Sequence, residues 1–170
     1  MKSNFPKKIH IIGSVGSGKT TLARNLSSKL QIPFYELDNV VWKRCKTGDI
    51  RRSDEERDLY LSEIISSEAW IVEGVHHKWV MQSFENAEII IFLDTDYSKR
   101  TFRIIKRFIL QKLRLEKANY KPTFDIFKKM LDWNAYFEKE SKQEIVSMLN
   151  QYNDKLLILK ENTDVKKYLG

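Results

Sequence analysis

Gly13-Ser14-Val15-Gly16-Ser17-Gly18-Lys19-Thr20 matches the phosphate-binding pattern G-x-x-x-x-G-K-[ST] at every fixed position. Residues 8–12 before it form a short apolar run typical of a strand. After it, apolar side chains follow at helical spacing, at Leu22, Ala23, Leu26 and Leu30. A glycine-rich turn between a strand and a helix can direct successive backbone N–H groups toward a polyphosphate, because glycine has no Cβ to clash. The stretch therefore predicts a nucleotide site.

Individual residues of this stretch have predicted roles in binding ATP and Mg²⁺. Lys19 is expected to reach the β- and γ-phosphates, and the hydroxyl of Thr20 to ligate Mg²⁺. The alternative is a glycine turn that only joins a strand to a helix, but a chance match in a chain of this length is on the order of one in a hundred. The predicted nucleotide-binding residues are Gly13, Ser14, Gly16, Ser17, Gly18, Lys19, Thr20 and Thr21.

The composition is that of a globular protein, and we predict a single domain over residues 1–170. With 42% hydrophobic and 31% charged residues, extensive disorder is not expected. The amino-terminal residues provide neither a signal peptide nor a membrane span, so the sequence predicts a cytoplasmic protein without a membrane partner. The single cysteine, Cys45, has no internal disulfide partner. The net charge of +7 indicates that the partner is anionic.

Several predicted strands end in carboxylates. Residues 32–38 carry Glu36 and Asp38, which share a strand face because they are two positions apart. At the carboxyl end of a parallel strand both would lie in the ligand crevice, where they could contact a substrate hydroxyl or the water shell of a metal. Alternatively, Asp38-Asn39 caps the next helix or makes an Asx turn. Three further strands are predicted, over residues 70–74, 87–94 and 155–160. The first of them ends in Glu73-Gly74 and the second in Asp94.

A basic segment follows the second strand, and we interpret residues 39–67 as a substrate flap. Its arginines could hold an anionic acceptor, or could form an ordinary solvated surface. A capping box at Ser53-Asp54-Glu55-Glu56 predicts the start of a helix within the flap. After the third strand, His77 is a candidate to contact substrate phosphate, and a structural role is expected for His76. The flap arginines are Arg44, Arg51 and Arg52.

The segment from residue 98 to about residue 117 has the spacing of a helix with two stripes. The apolar stripe consists of Phe102, Ile105, Ile109 and Leu113, and the basic stripe of Arg100, Arg103, Arg107 and Arg114. Neighbouring like charges one turn apart are mildly unfavourable without an anion, so we expect Arg103 and Arg107 to contact phosphate. Arg100 and Arg114 are expected to be solvated. With the aromatic helix that follows, residues 98–137 would form a lid.

Strands that alternate with helices imply a parallel sheet within one three-layer domain. Beyond this, four segments resemble small P-loop kinases related to adenylate kinase, and among them a bacterial group named for DNA topology modulation. The resemblance spans nearly the whole chain. Its strongest segments are residues 9–20, 35–42, 70–75 and 104–108.

The resemblance implies a three-layer α/β/α P-loop fold with a five-stranded parallel sheet in the order 2-3-1-4-5 and a helical lid. This order places Glu73 beside the phosphate-loop strand, where Glu73 rather than Asp94 would support Mg²⁺ together with Thr20. Arg103 and Arg107 are similar to the Arg-x-x-x-Arg that opens an adenylate kinase lid, and would clamp the transferring phosphoryl group. The acid-bearing second strand looks closer to that of kinases that phosphorylate a hydroxyl.

The sequence thus predicts an ATP–Mg²⁺-dependent phosphotransferase that acts on a small acceptor. The predicted catalytic residues are Lys19, Asp38, Arg103 and Arg107, with Asp38 contacting the acceptor hydroxyl. The first alternative is a nucleic-acid-associated P-loop ATPase, which the net charge favours. The second is a switch that binds nucleotide without turnover. Any binding to nucleic acid is expected to be non-specific, because no reading module is present in the sequence.

Overall fold

The computed structural model describes residues 5–116 and 122–169, which contain seven strands. In chain order the strands are β1 (Lys8–Gly13), β2 (Phe34–Glu36), β3 (Trp42–Lys43), β4 (Ile50–Arg51), β5 (Trp70–Gly74), β6 (Ile89–Leu93) and β7 (Leu156–Leu159). Five of them form a parallel sheet in the order β2-β5-β1-β6-β7, and β3 and β4 form a separate antiparallel hairpin. The predicted α/β class is confirmed. The strand order differs in its numbers from the predicted order 2-3-1-4-5. The difference arises because the sequence did not predict the hairpin strands β3 and β4, which are counted in the numbering of the whole chain.

The helices connect the strands and cover the sheet. They are α1 (Lys19–Leu30), α2 (Leu37–Val41), α3 (Asp54–Ser66), α4 (Met81–Asn86), α5 (Tyr97–Lys112), α6 (Phe124–Tyr136), α7 (Lys142–Leu149) and α8 (Lys166–Leu169). A π-helical turn at Phe137–Ser141 joins α6 to α7, and 3₁₀ turns lie at Asn150–Tyr152 and Asn162–Val165. The predicted capping box of α3 is present: Ser53 accepts a hydrogen bond from the Glu56 amide, and Glu56 accepts one from the Ser53 amide.

The sheet has a core on each face, which gives three layers. On one face Ile9, Ile11 and Ile91 pack against Leu22 and Leu26 of α1. On the other face the strands pack against α3, α4 and α7, through Ile12, Val72, Phe92, Leu61, Phe84 and Leu149. Strands buried on both faces are continuous apolar runs, as seen in β1 and β6, because each face needs apolar side chains. Within the described ranges, no helix combines the length and apolar character that crossing a membrane would require.

The second sheet strand is shorter than predicted. It ends at Glu36, and the chain turns at once into α2, whose first turn contains Asp38. The expectation that Glu36 and Asp38 share a strand face is therefore wrong, and so is the alternative that Asp38 caps the next helix, since the cap residue is Glu36. The turn is enforced by packing, because Leu37 is fully buried against Gly74, where an added Cβ would lie 2.7 Å from Leu37 Cδ1.

The helix α5 faces the opposite way to the one its pattern predicts. Its apolar stripe is exposed, with Phe102 66%, Ile109 49% and Leu113 62% accessible, whereas Arg100, expected to be solvated, is fully buried. The reason is an ion pair: Arg100 Nη2 lies 2.5 Å from Glu138 Oε2 in the π-helical turn, and its guanidinium stacks over Phe137. Helix α5 ends at Lys112. The predicted end near Lys117, and part of the predicted lid, lie outside the described residues.

The centre of β1 contains a buried titratable side chain, His10. Its Nδ1 lies 2.7 Å from Ser83 Oγ on α4, and its ring packs 4.2 Å from that of Phe84. Burial lowers the pKa of His10 to about 3 from an ordinary value of 6.5. His10 is therefore a neutral part of the core over the whole physiological pH range.

We expect the free energy of unfolding to decrease as the pH falls from 6.5 toward 3, because only the unfolded chain protonates His10 in this range. The contribution approaches about 1.4 kcal/mol per pH unit. Chemical denaturation at about pH 7, 6 and 5 would measure it. The His10→Asn variant, which has an amide for Ser83 but no titratable ring, should show a shallower dependence; equal slopes in both proteins would contradict the assignment.

Candidate nucleotide and acceptor site

The segment between β1 and α1 forms a tight loop. Gly16 and Gly18 have φ angles of +76° and +93°, which side-chain-bearing residues rarely adopt. At Gly16 a Cβ would also lie 2.8 Å from the backbone oxygen of Arg100, so only glycine fits between the loop and α5. Gly18 is the N-cap of α1 and no side chain caps the helix, so that its first N–H groups face the loop. With no acidic residue in the first turn, this end of α1 is suited to an anion.

The predicted nucleotide-binding residues are brought together by this loop and by the first turn of α1. Gly13 ends β1, Ser14 and Ser17 are buried, and Thr21 is exposed on the first turn. Lys19 folds back over the loop, where its Nζ donates to the backbone oxygen of Ser14 at 3.3 Å. The ammonium group of Lys19 thus lies at the loop itself.

The loop is connected to the neighbouring strand by a hydrogen bond from the Thr20 hydroxyl to Glu73 Oε1, 2.6 Å long. Glu73 is only 3% exposed, and its Oε2 atom is buried without a hydrogen-bond partner among the described residues. Burial raises the pKa of Glu73, and the nearby Lys19 charge and the Thr20 hydroxyl counteract this only in part. A cation beside Glu73 would therefore offset the cost of the buried charge. Thr20 and Glu73 together fit the protein's share of a Mg²⁺ site.

Asp94, the other carboxylate considered for the metal, is occupied by two lysines. Lys142 Nζ lies 2.6 Å from one of its oxygens and Lys160 Nζ 2.6 Å from the other. Burial would raise the pKa of Asp94, but the hydrogen bonds from Lys142 and Lys160 outweigh it, and the pKa is lowered. Its negative charge is already balanced, so Glu73 is the carboxylate with capacity for a cation.

Asp38 lies across the crevice from the loop, on α2, and is exposed to solvent. Its Oδ1 atom is 3.5 Å from His76 Nε2, in the segment after β5. The hydrogen bond with His76 lowers the pKa of Asp38; burial opposes this, and the charge of Lys19 adds to it. The His76 ring in turn lies 5.2 Å from that of Trp79, over which Arg57 stacks. Asp38 is thus an ionised carboxylate held on the open side of the site.

Only one of the two predicted phosphate-clamping arginines reaches the loop. The Nη1 atom of Arg103 lies 3.1 Å from the backbone oxygen of Ser17, and its Nη2 lies 2.6 Å from Glu161 Oε2. Arg107, one turn later, contacts Met130 Sδ on α6 at 3.5 Å. Arg114 is exposed beyond the end of α5, with a φ of +58°.

The flap region consists of α2, the β3–β4 hairpin and α3. Arg44 is paired with Asp49 and Asn39 within the hairpin region, and Arg52 donates to the backbone oxygens of Asn39 and Val40. His77, a candidate for substrate phosphate, lies 3.2 Å from Glu144 on α7 instead. A pocket of about 190 Å³ opens beside the flap, lined by Phe34, Tyr35, Glu36, Asn39, Val40 and Tyr60.

Sequence reasoning missed the residues that support the loop from behind. Glu161 holds both Lys99 and Arg103, and Glu138 holds Arg100. Neither pairing could be read from a local pattern, since each carboxylate lies at least 38 positions from the arginine it pairs with. The only available signal was the excess of arginine on α5, which needs acidic partners wherever it is buried.

A phosphate-binding loop between β1 and α1 of a parallel sheet in this order defines a P-loop nucleotide-binding protein. The family model for shikimate kinase matches residues 15–108, which is more than half of the chain. The chain belongs to this family.

Relatives match this chain over parts of their length. A shikimate kinase from Flavobacterium johnsoniae is 36% identical over 75 residues, which are 39% of this chain and 44% of the relative. The Bacillus subtilis protein YqaC, described as uncharacterized, is 31% identical over 87 residues, 51% of this chain and 48% of YqaC. The chain thus spans about half the length of these curated relatives. The crystal structure of a Bacteroides thetaiotaomicron shikimate kinase is similar over 93% of this chain and 88% of that one, with 16% identity and a TM-score of 0.48.

Replacing Glu73 by Gln should leave the metal-free protein at least as stable as the parent at neutral pH. The raised pKa of Glu73 means that its ionised form is disfavoured in the folded state, and the amide removes this cost while it can still accept from Thr20. The thermal shift produced by ATP plus Mg²⁺ over ATP plus EDTA should, however, be lost. Differential scanning fluorimetry measures both. An undiminished Mg²⁺-dependent shift in Glu73→Gln would remove Glu73 from the metal site.

Proposed function

We propose that this protein transfers the γ-phosphate of ATP to a hydroxyl of a small acceptor. The observation that carries the proposal is that two carboxylates near Lys19 lie in contrasting environments. Glu73 is buried and bonded to the loop threonine, whereas Asp38 is exposed and bonded to a histidine, and the charge of Lys19 acts on both. Two carboxylates whose environments push their pKa values in opposite directions are suited to different tasks.

The loop, with Lys19 and the first turn of α1, would hold the phosphates of ATP. Thr20 and Glu73 would hold Mg²⁺, which when bound supplies positive charge against the phosphate oxygens. The unpartnered Oε2 of Glu73 and its raised pKa support this role. Lys19 would stabilise the negative charge that develops on the transferring group.

Asp38 would position the acceptor hydroxyl and take its proton. In the transfer a bond forms between the acceptor oxygen and the γ-phosphorus. The bond from the γ-phosphorus to the β–γ bridging oxygen breaks, and its electron pair leaves with ADP. The proton of the hydroxyl moves to the Asp38 carboxylate. Because the pKa of Asp38 is lowered, the carboxylate is ionised before the reaction, and a weak base of this kind suits a loose phosphoryl-transfer transition state, in which the proton moves late.

Arg103 and Arg107 would act from the lid. Arg103 is already at the loop, so a small movement of its guanidinium from the carbonyls of Gly16 and Ser17 would bring it to the phosphates. Arg107 would need a larger movement of the segment we propose as the lid, residues 98–137, away from its contact with Met130. Residues 39–67 would close over the acceptor as the flap, in a single domain of residues 1–170.

A nucleic-acid-associated ATPase is the second candidate, and it is favoured by helix α5. This helix carries six lysines and arginines and no carboxylate, while the whole chain has a net charge of +7. This second candidate function agrees with the resemblance to the bacterial group named for DNA topology modulation. A DNA-stimulated ATPase would consume ATP without an acceptor, which separates it from a kinase.

The test is a screen of ATP consumption against hydroxyl-bearing acceptors, including nucleosides, sugars, sugar alcohols and hydroxy acids, with no-acceptor and DNA-only controls. We expect consumption to require one acceptor class and to yield a phosphorylated product by mass spectrometry. Lys19→Ala should reduce the rate by roughly 10²-fold or more while leaving the fold intact, because it removes a charge aimed at the transition state. Consumption that depends on DNA alone, or a folded Lys19→Ala protein with the parental rate, would refute the kinase proposal.

Conservative changes of the arginines test the lid. A guanidinium can hold two phosphate oxygens through paired donors, which lysine cannot. At saturating ATP and acceptor, Arg103→Lys should lower kcat by about 10-fold or more, comparable to losing one preorganised donor, and Arg107→Lys should also lower it if the lid closes. Arg114→Lys, at an exposed position beyond α5, is the matched control and should be nearly silent. Parental turnover in both Arg103→Lys and Arg107→Lys would disprove the clamp.

A further inference from the structure

Two carboxylates at the ends of neighbouring strands lie on one face of the sheet. Glu36 at the end of β2 is in register with Glu73 on β5, so that both side chains project from the same face of the sheet on neighbouring strands. Asp38 follows Glu36 two residues later, in the first turn of α2. The charge of Lys19 acts on both Glu73 and Asp38 from the loop, and it would be taken up by the phosphates of ATP.

The pocket that Glu36 lines contains aromatic and polar side chains and one aliphatic side chain, and no lysine or arginine of the described residues lines it. Glu36 and Asn39 supply a carboxylate and an amide, and Tyr35, Tyr60 and Phe34 supply rings. A carboxylate and an amide can accept hydrogen bonds from hydroxyl or ammonium groups. Aromatic faces attract cations or pack against the C–H faces of a sugar-like molecule.

Most arginines of the flap have partners among the described residues. Arg44 pairs with Asp49 and Asn39, and Arg52 with two backbone oxygens and the face of Tyr60. Arg57 pairs with Asp54 and Asp58 and stacks on Trp79. His76 faces Asp38. Arg51, exposed on the outer strand of the hairpin, is the remaining flap arginine, and it does not line the pocket.

We infer that the acceptor site selects a neutral or positively charged hydroxy compound and discriminates against a carboxylate, the kind of acceptor that the name of the family would suggest. The inference rests on the proposed function. An acceptor carboxylate placed here would face Glu36, and none of the described residues that line the pocket is a lysine or an arginine, whereas hydroxyl or ammonium groups would find acceptors. Glu36 is the residue that sets this preference, because its side chain lines the pocket and is the carboxylate of the pocket.

The experiment uses acceptors that share one carbon skeleton and differ only in terminal charge. These are glucitol (neutral), glucamine (cationic) and gluconate (anionic), with shikimate and its methyl ester as a second pair. Acceptor-dependent ADP formation gives kcat/KM for each, and product mass verifies transfer. We expect the kcat/KM of glucitol, glucamine or the ester to exceed that of its anionic counterpart by about 10-fold or more. The reason is that the carboxylate of an anionic acceptor would lie beside the like charge of Glu36 without a lysine or arginine among the described lining residues to balance it.

Two charge-removing variants locate the discrimination. Glu36→Gln should reduce the preference for the neutral or cationic member by about 5-fold or more, since it removes one carboxylate at the pocket. The matched control Asp154→Asn removes the same charge at the opposite edge of the sheet, just before β7, and should leave the ratio unchanged. Arg51→Gln should also leave the ratio unchanged.

The outcomes separate the inference from the function on which it rests. A preference for gluconate or shikimate over its uncharged counterpart, or a selective loss of the anionic acceptor in Arg51→Gln, would overturn the inference while supporting a kinase. An unchanged ratio in Glu36→Gln would overturn the role of Glu36. Failure to find transfer to these or to any other hydroxyl acceptor would count against the proposed function itself.

Discussion

The hydrogen bond between the Thr20 hydroxyl and the Glu73 carboxylate is the contact on which the site depends, because it joins the phosphate loop to the neighbouring strand. It exists only because β5 lies beside β1 in a register that sets Glu73 opposite Ile11. In that position the carboxylate is nearly buried, and one of its oxygens has no hydrogen-bond partner in the described part of the chain, an arrangement that costs stability unless a cation balances the charge. The sheet order and the cost of the buried charge are thus linked. The strand order brings the Glu73 carboxylate to the loop, and the Thr20 hydroxyl forms a hydrogen bond with only one of its two oxygens.

The back of the loop is supported by arginines of α5. Gly16 packs against the backbone oxygen of Arg100, while the side chain of Arg100 is paired with Glu138 and that of Arg103 with Glu161. These pairings turn the basic face of α5 inward, so the apolar side chains of the same helix, such as Phe102, are left in solvent. A helix normally buries its apolar stripe. Here Arg100 of the charged stripe is buried and Arg103 is half-buried instead, since carboxylates from two later segments are available to balance them.

The parts that could be predicted from sequence are those encoded by short-range patterns. The glycines and Lys19 of the loop, the apolar runs of β1 and β6, and the capping box at Ser53 each depend on neighbours in the chain. What could not be predicted depends on contacts between distant segments. Asp38 was expected on a strand, but burial of Leu37 against Gly74 bends the chain into α2 and moves Asp38 to the flap side of the crevice. The burial of Arg100 likewise required knowledge of Glu138, and the inward face of α5 could not be deduced from a helical period that fits either stripe.

Three carboxylates that follow sheet strands show how environment, rather than residue type, divides the work of a site. Asp94 forms ion pairs with two lysines, which connect β6 to α7 and to the end of β7. Glu73 is buried with a hydroxyl donor on one oxygen, so its other oxygen, which has no hydrogen-bond partner among the described residues, could accept a further partner. Asp38 is exposed beside a histidine, so it is ionised and accessible to a molecule that approaches from solvent. A sequence presents all three as acids near strand ends. Their partners, which come from elsewhere in the chain, decide which one is structural, which one suits a cation and which one is open to an acceptor.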